Sequence, residues 1–151
     1  SDMQTVAVES TASRVPVWLW AASVLGVLWN LYGAFQYAGT FTAAGQAAMT
    51  AGMTATQAAL YLSLPAWISV VFAIGVFGGL AGSILLALRR NLARPVLAGS
   101  FVAYGLLFAG DAWHGVFAAI PSQLAVLAVV VLIAAALFRV SQRAGQRGLL
   151  S

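Results

Sequence analysis

Asp111 and His114 stand three residues apart in an apolar run that contains no other acidic residue. Residues three apart share one side of a helix, and Tyr104, seven before Asp111, returns to the same side. A carboxylate inside a membrane-spanning helix costs about 2.5–3.5 kcal/mol on insertion scales, so its presence calls for a partner or a task. Asn30 and Gln36 in one earlier run, and Ser69 in another, add further polar groups. Two readings compete. In the plainer one, Asp111 hydrates near the membrane surface or pairs with His114. In the other, Asn30, Gln36, Tyr104, Asp111 and His114 line a polar pocket or ion path that opens outward.

The same inventory argues against several chemistries. The chain has no cysteine, which removes disulfides, thiolate metal sites and cysteine nucleophiles. One histidine, with the three methionines outside the apolar runs, is a poor basis for a haem. Asp111 and His114 alone do not make a zinc cluster. As members of a hydrolytic triad they would sit on one helix, with no serine in a nucleophile-elbow setting. The glycines that could suggest a phosphate loop lie inside a continuous apolar segment, with no Gly-Lys-Ser or Gly-Lys-Thr after them. The expectation is a protein that is not an enzyme and carries no cofactor and no metal.

The elements that position these residues follow from composition. The 151 residues are 62% hydrophobic and only 7% charged, whereas a soluble domain carries about 25% charged residues. A soluble enzyme, a nucleic-acid-binding domain and a disordered chain are excluded together. A helix needs about 20 apolar residues to cross a bilayer. Four such runs are present, at about 16–37, 65–88, 95–117 and 122–140. The fold expected is an all-α, polytopic bundle of four transmembrane helices in a single domain over 1–151. Pro16 suits the first turn of the first span, where its missing N–H costs nothing. Trp18, Trp20 and Tyr37 suit aromatic belts at the two interfaces.

The connection from Ala38 to Ser63 is uncharged, rich in Thr, Gly, Gln and Ala, and too broken by Gly39, Gly45 and Gly52 to span. Within it, Thr54 and Gln57 have the spacing of a capping box. A short surface helix over about 54–63 is the expectation. The tail from Ser141 to Ser151 is expected to fray.

All seven basic residues are arginines: Arg14, Arg89, Arg90, Arg94, Arg139, Arg143 and Arg147. With four spans they fall on one side of the membrane, and the positive-inside rule makes that side, with both termini, cytoplasmic. The net charge of +4 is therefore an orientation signal rather than a sign of nucleic acid. Counting 1.5 Å per residue, Asn30 lies roughly 21 Å above Pro16, Asp111 roughly 24 Å above Pro95, and Ser69 roughly 6 Å below Pro65. These counts place the three in one polar layer in the outer leaflet.

The second span carries Gly75, Gly79 and Ser83 four apart, with Gly78 and Gly82 beside them. Such spacing lets helix backbones approach closely. It serves either packing within one bundle or a homodimer seam. In the first span Gly26 and Gly33 share a stripe with Ser23 and Asn30.

Two blocks carry a resemblance. One is Trp29-Asn30 with Gly33 and Tyr37. The other is Pro65-Ala66-Trp67, then Gly75, Gly78, Gly79 and Gly82, then Arg89, Arg90 and Arg94-Pro95-Val96. Over about Trp18 to Leu97 the chain resembles a family of small bacterial four-helix membrane proteins often labelled putative sugar transporters. The resemblance implies a bacterial inner membrane and a four-helix fold, and it brings no site residues with it. The function expected is a carrier or binding protein for a small polar or amphipathic molecule. The alternative is a non-catalytic accessory subunit of a larger membrane complex. Besides the lipid bilayer, the partner would be a second copy or that complex, and not nucleic acid.

Overall fold

The computed structural model describes residues 15–151. The N-terminal arm, with Arg14, lies outside the described residues. The chain is all-helical, and its long helices are α1 (Val17–Gly39), α4 (Ala66–Ala87), α5 (Ala93–Trp113) and α7 (Pro121–Gln146). All four are long and apolar enough to cross a membrane. Short helices α2 (Ala43–Thr50) and α3 (Ala55–Leu62) fill the first connection, and α6 (Val116–Ala119) fills the third. Large apolar side chains are exposed on every long helix, among them Leu25, Phe35, Val70, Val102 and Leu132. A surface so apolar over four spanning helices suits lipid and not water.

Helix α4 is the hub. It packs against α1 on one side and α5 on the other, and α5 in turn packs against α7. Two stripes of small residues make this possible. A Cβ on Gly79 would collide with the Asn30 side chain, and one on Gly26 would collide with Ser83. Cβ atoms on Gly75, Gly78 and Gly82 would meet Tyr104, Ser100 and Leu97. Gly79 and Ser83 therefore serve α1, whereas Gly75, Gly78 and Gly82 serve α5. The stripe through Gly75, Gly79 and Ser83 that the sequence suggests as one seam divides between two neighbours within one chain. Ser100 Oγ, which lies beside Gly78, donates 2.6 Å to the Gly75 carbonyl and fastens α5 to α4.

The ends of the spans differ from expectation for local reasons. Pro16 and Pro65 are N-caps with extended backbone, one residue outside their helices. Helix α5 begins two residues before Pro95 and stops at Trp113 rather than 117. Gly115 takes φ +75° there and turns the chain into α6. The first connection holds two helices rather than one. Gly45 does not break α2: a side chain on it would strike the Gly39 backbone, so the glycine permits a close approach. Thr42 caps α2 by accepting from Gly45 N at 3.0 Å.

The segment expected to fray is ordered. Helix α7 runs six residues past 140 to Gln146, and Gly148 at φ +70° ends it with Leu149 N bonded to the Ala144 carbonyl at 2.9 Å. Residues 149–151 then clamp the α4–α5 turn. Ser151 N donates to Arg89 O and Asn91 N donates to Ser151 O, both at 2.9 Å, while Arg89 Nε donates to Leu149 O at 3.0 Å. Arg89 itself holds φ 59°, a left-handed conformation costly for a residue with a Cβ. Two of these bonds, to its carbonyl and from its Nε, hold it there.

Candidate functional site

At the end of the bundle opposite the described arginines, α1 and α7 lie on either side of a cavity of about 440 Å³. The wall of α1 presents Trp29, Tyr32, Gly33, Gln36 and Tyr37, and that of α7 presents Gln123, Val126, Leu127 and Val130. Ile68, Ser69, Phe72 and Val76 of α4, with Tyr104, Leu107 and Asp111 of α5, form the back. Gln46 and Met49 of α2 and Tyr61 and Leu62 of α3 close over the mouth.

The lid is pinned on both sides. Gln46 Nε2 donates to the Thr40 carbonyl at 2.9 Å. The capping box of α3 forms as its spacing suggests, with Gln57 N donating to Thr54 Oγ1 and Thr54 N donating to Gln57 Oε1. The same Gln57 side chain has a second task, since its Nε2 donates 2.8 Å to the Ala119 carbonyl beyond α5. One amide thus caps the lid helix and ties it across the cavity mouth to the far connection.

The floor is a polar joint. Asn30 Nδ2 donates to the Gly26 carbonyl at 2.7 Å, and Tyr104 O–H donates to Asn30 Oδ1 at 3.5 Å. Tyr104 therefore belongs to both floor and cavity. Asn30 is 2% exposed and lies beneath the cavity, outside its lining.

Of the five candidate residues, the structure brings Gln36, Tyr104 and Asp111 around one space, with Ser69 beside them. Asn30 supports that space from below. His114 is not among the lining residues: it caps α5, with its N–H bonded to the Gly110 carbonyl at 3.0 Å, and lies against Trp67 with ring centroids 6.2 Å apart. Asn30 and Asp111 are not at one level. Asn30 meets Tyr104, and Asp111 is seven residues, or roughly 10 Å, further along α5. Counting from the prolines misplaces them because α1 and α5 do not start together. Trp18, at the start of α1, lies beside Arg143 and Arg147 in the last turns of α7.

Asp111 is 4% exposed, and its Oδ1 has no hydrogen-bond partner. No hydrogen bond or ion pair joins it to His114; the i, i+3 spacing leaves the two groups interacting through their charges and not through a bond. The carboxylate is felt across the cavity by Tyr61 on the lid. Burial raises the Tyr61 phenol above its ordinary value, and the Asp111 charge raises it further. No group of three or more metal-ligating side chains occurs among the described residues. The chain matches no protein-family model, no curated protein and no solved structure. Its chemistry rests on this geometry alone.

Sequence reasoning missed Tyr61, Gln46, Trp29 and Phe72 as cavity residues. The capping box was the one signal that pointed near the lid, and it marked a helix without saying what the helix covered.

Proposed function

We propose that the chain is a membrane-embedded binding protein or carrier for a small amphipathic molecule, held between α1 and α7 in the outer half of a bacterial inner membrane. The observation that supports this is the cavity itself. Its volume of about 440 Å³ falls in the range of small-molecule sites, roughly 300–1,000 Å³, whose walls are mostly apolar with a few convergent polar groups. Here the polar groups include Gln36, Gln46, Ser69, Tyr104, Asp111 and Gln123. The arginines of the α4–α5 turn and of α7 share the opposite end, which on the positive-inside rule is cytoplasmic. The cavity then faces outward. Its floor, made by Asn30 and Tyr104 against Gly79, separates it from the cytoplasmic half, so a carrier must part this joint during transport.

Native mass spectrometry after mild extraction tests the reading. A small molecule should accompany the wild-type chain and be lost from Val130→Trp, which fills the cavity from α7. Recovery of the chain with a stoichiometric protein partner and no small molecule, in both forms, would replace this reading with that of an accessory subunit.

A further inference from the structure

Resting on the reading of the cavity as a binding site, we infer that its occupant is an organic cation: an amine or quaternary ammonium on an apolar body, with the positive head at Asp111. The argument begins with charge. Asp111 is the only acidic residue among those described, and it lines the cavity while 4% exposed, with Oδ1 unpartnered. A buried acceptor without a donor is costly, and a charged one more so. The protein brings no lysine or arginine to it. The sequence contains no lysine, since all seven basic residues are arginines. The nearest arginine along α5, Arg94, is seventeen residues away, roughly 26 Å along the helix, and is engaged with Gln142 Oε1 at 2.6 and 3.1 Å. His114 packs on Trp67, outside the cavity lining; its charge reaches the carboxylate, but no hydrogen bond joins them and Oδ1 stays unpartnered.

The rest of the lining defines the body of the occupant. A bare metal ion would need several ligating oxygens, and Asp111 is the only carboxylate here. Leu62, Leu107, Val126, Leu127 and Val130 ask for an apolar partner. Trp29, Tyr32, Tyr37, Phe72 and Tyr104 add aromatic rings to the lining, and aromatic π systems attract cations. An anionic amphiphile would meet the Asp111 charge and no compensating base. A neutral sugar would find partners in Gln36, Gln46 and Gln123 but would leave the Asp111 charge uncompensated.

Three probes with one 4-phenylbutyl body separate the alternatives: 4-phenylbutyltrimethylammonium, 4-phenylbutanol and 4-phenylbutanoate. Each is titrated against the chain in nanodiscs of neutral phosphatidylcholine, with protein-free nanodiscs as the blank. The ammonium probe should bind at least about tenfold more tightly than the alcohol, the order expected of one charge-assisted contact. Asp111→Asn should abolish that preference while leaving the alcohol's affinity unchanged. Asp111→Glu should retain the preference, which guards against misreading a folding defect as lost recognition. If the alcohol or the carboxylate binds wild type as well as the ammonium does, the cation assignment fails and the binding site stands. If none of the three binds above the blank, the cavity is not a site for molecules of this class, and the reading beneath the inference falls with it.

Discussion

At the arginine end, Leu19, Leu86, Leu97 and Leu137 pack together at 0–6% exposure, and Leu150 of the tail closes the cluster at 8%. Trp18 lies under two guanidinium groups, with Arg143 and Arg147 each about 6 Å from its ring. Arg94 lies flat across Gly145, where a Cβ would touch its guanidinium. At the other end the same four helices enclose open volume, and two short helices bridge over it. The contrast tracks residue type. Along α4 the small residues from Gly75 to Ser83 admit α1 and α5 closely, while toward the other end the bulkier Ile68 and Phe72 line the cavity, and there close approach rests on single glycines of the neighbours, Gly33 against Val76 and Gly110 against Ile68. Lipid supplies little hydrophobic drive between helices, so stability comes from close packing and buried bonds. The arginine end therefore anchors the bundle, and the cavity end can open and close at lower cost.

Breaking the boundary between the two ends should have the largest effect. Gly79→Leu drives a side chain into Asn30, and with it into the bonds from Asn30 to Gly26 and Tyr104. Overpacking of this kind costs about 1–3 kcal/mol, and disruption of the floor places the expected loss at the upper end. Thermal unfolding in one detergent, wild type against variant, measures it. A parental melting curve would show that α1 and α4 are not in close contact and that the floor is not a joint.

A matched pair of leucines sharpens the comparison. Leu150 and Leu127 are 8% and 6% exposed. Leu150 belongs to the close-packed cluster, and Leu127 borders the cavity. Truncation costs depend on the void left behind. Leu150→Ala should lose about 3 kcal/mol or more, transfer and void together. Leu127→Ala widens a space already present and should lose little beyond the transfer of the removed carbons, about 2 kcal/mol. The reverse order in thermal melts would mean that the cavity walls, and not the arginine end, carry the stability.

The anchor was more legible in the sequence than the site. Span length, the prolines and the arginine clusters fix four helices because the bilayer imposes one length on each. The small residues of α4 announce close packing, although spacing alone did not divide Gly79 and Ser83 from Gly75, Gly78 and Gly82. The order of the tail was not legible because it depends on contacts with the distant α4–α5 turn, and its two glycines, Gly145 and Gly148, serve that docking. In the fold one makes room for Arg94 and the other ends α7. The cavity depends on how far α1 and α7 diverge, a long-range property that no local pattern encodes. Asp111 and Tyr104 could be singled out because a polar group in a span is conspicuous. Tyr61 and Gln46 could not, because polar residues in a connection are ordinary.

The smallest effect concerns the lid. Tyr61 lies on α3, outside the spans, and its phenol is raised above 10.0 first by burial and then by the Asp111 charge. A raised value means the folded protein holds this proton more tightly than the unfolded chain does. The stabilisation is therefore full below pH 10.0 and is lost as pH rises through the folded value. Melting temperature should fall with pH above about 10, and it should fall less steeply in Tyr61→Phe, which has no phenolic proton to lose. The difference between the two curves isolates Tyr61 from every other alkaline group. Asp111→Asn removes only the second cause, so the transition assigned to Tyr61 should move down without reaching its ordinary value. Superimposable curves for wild type and Tyr61→Phe would mean that the phenol is hydrated. The lid would then not be seated over the cavity, and the two ends would differ even more than their packing indicates.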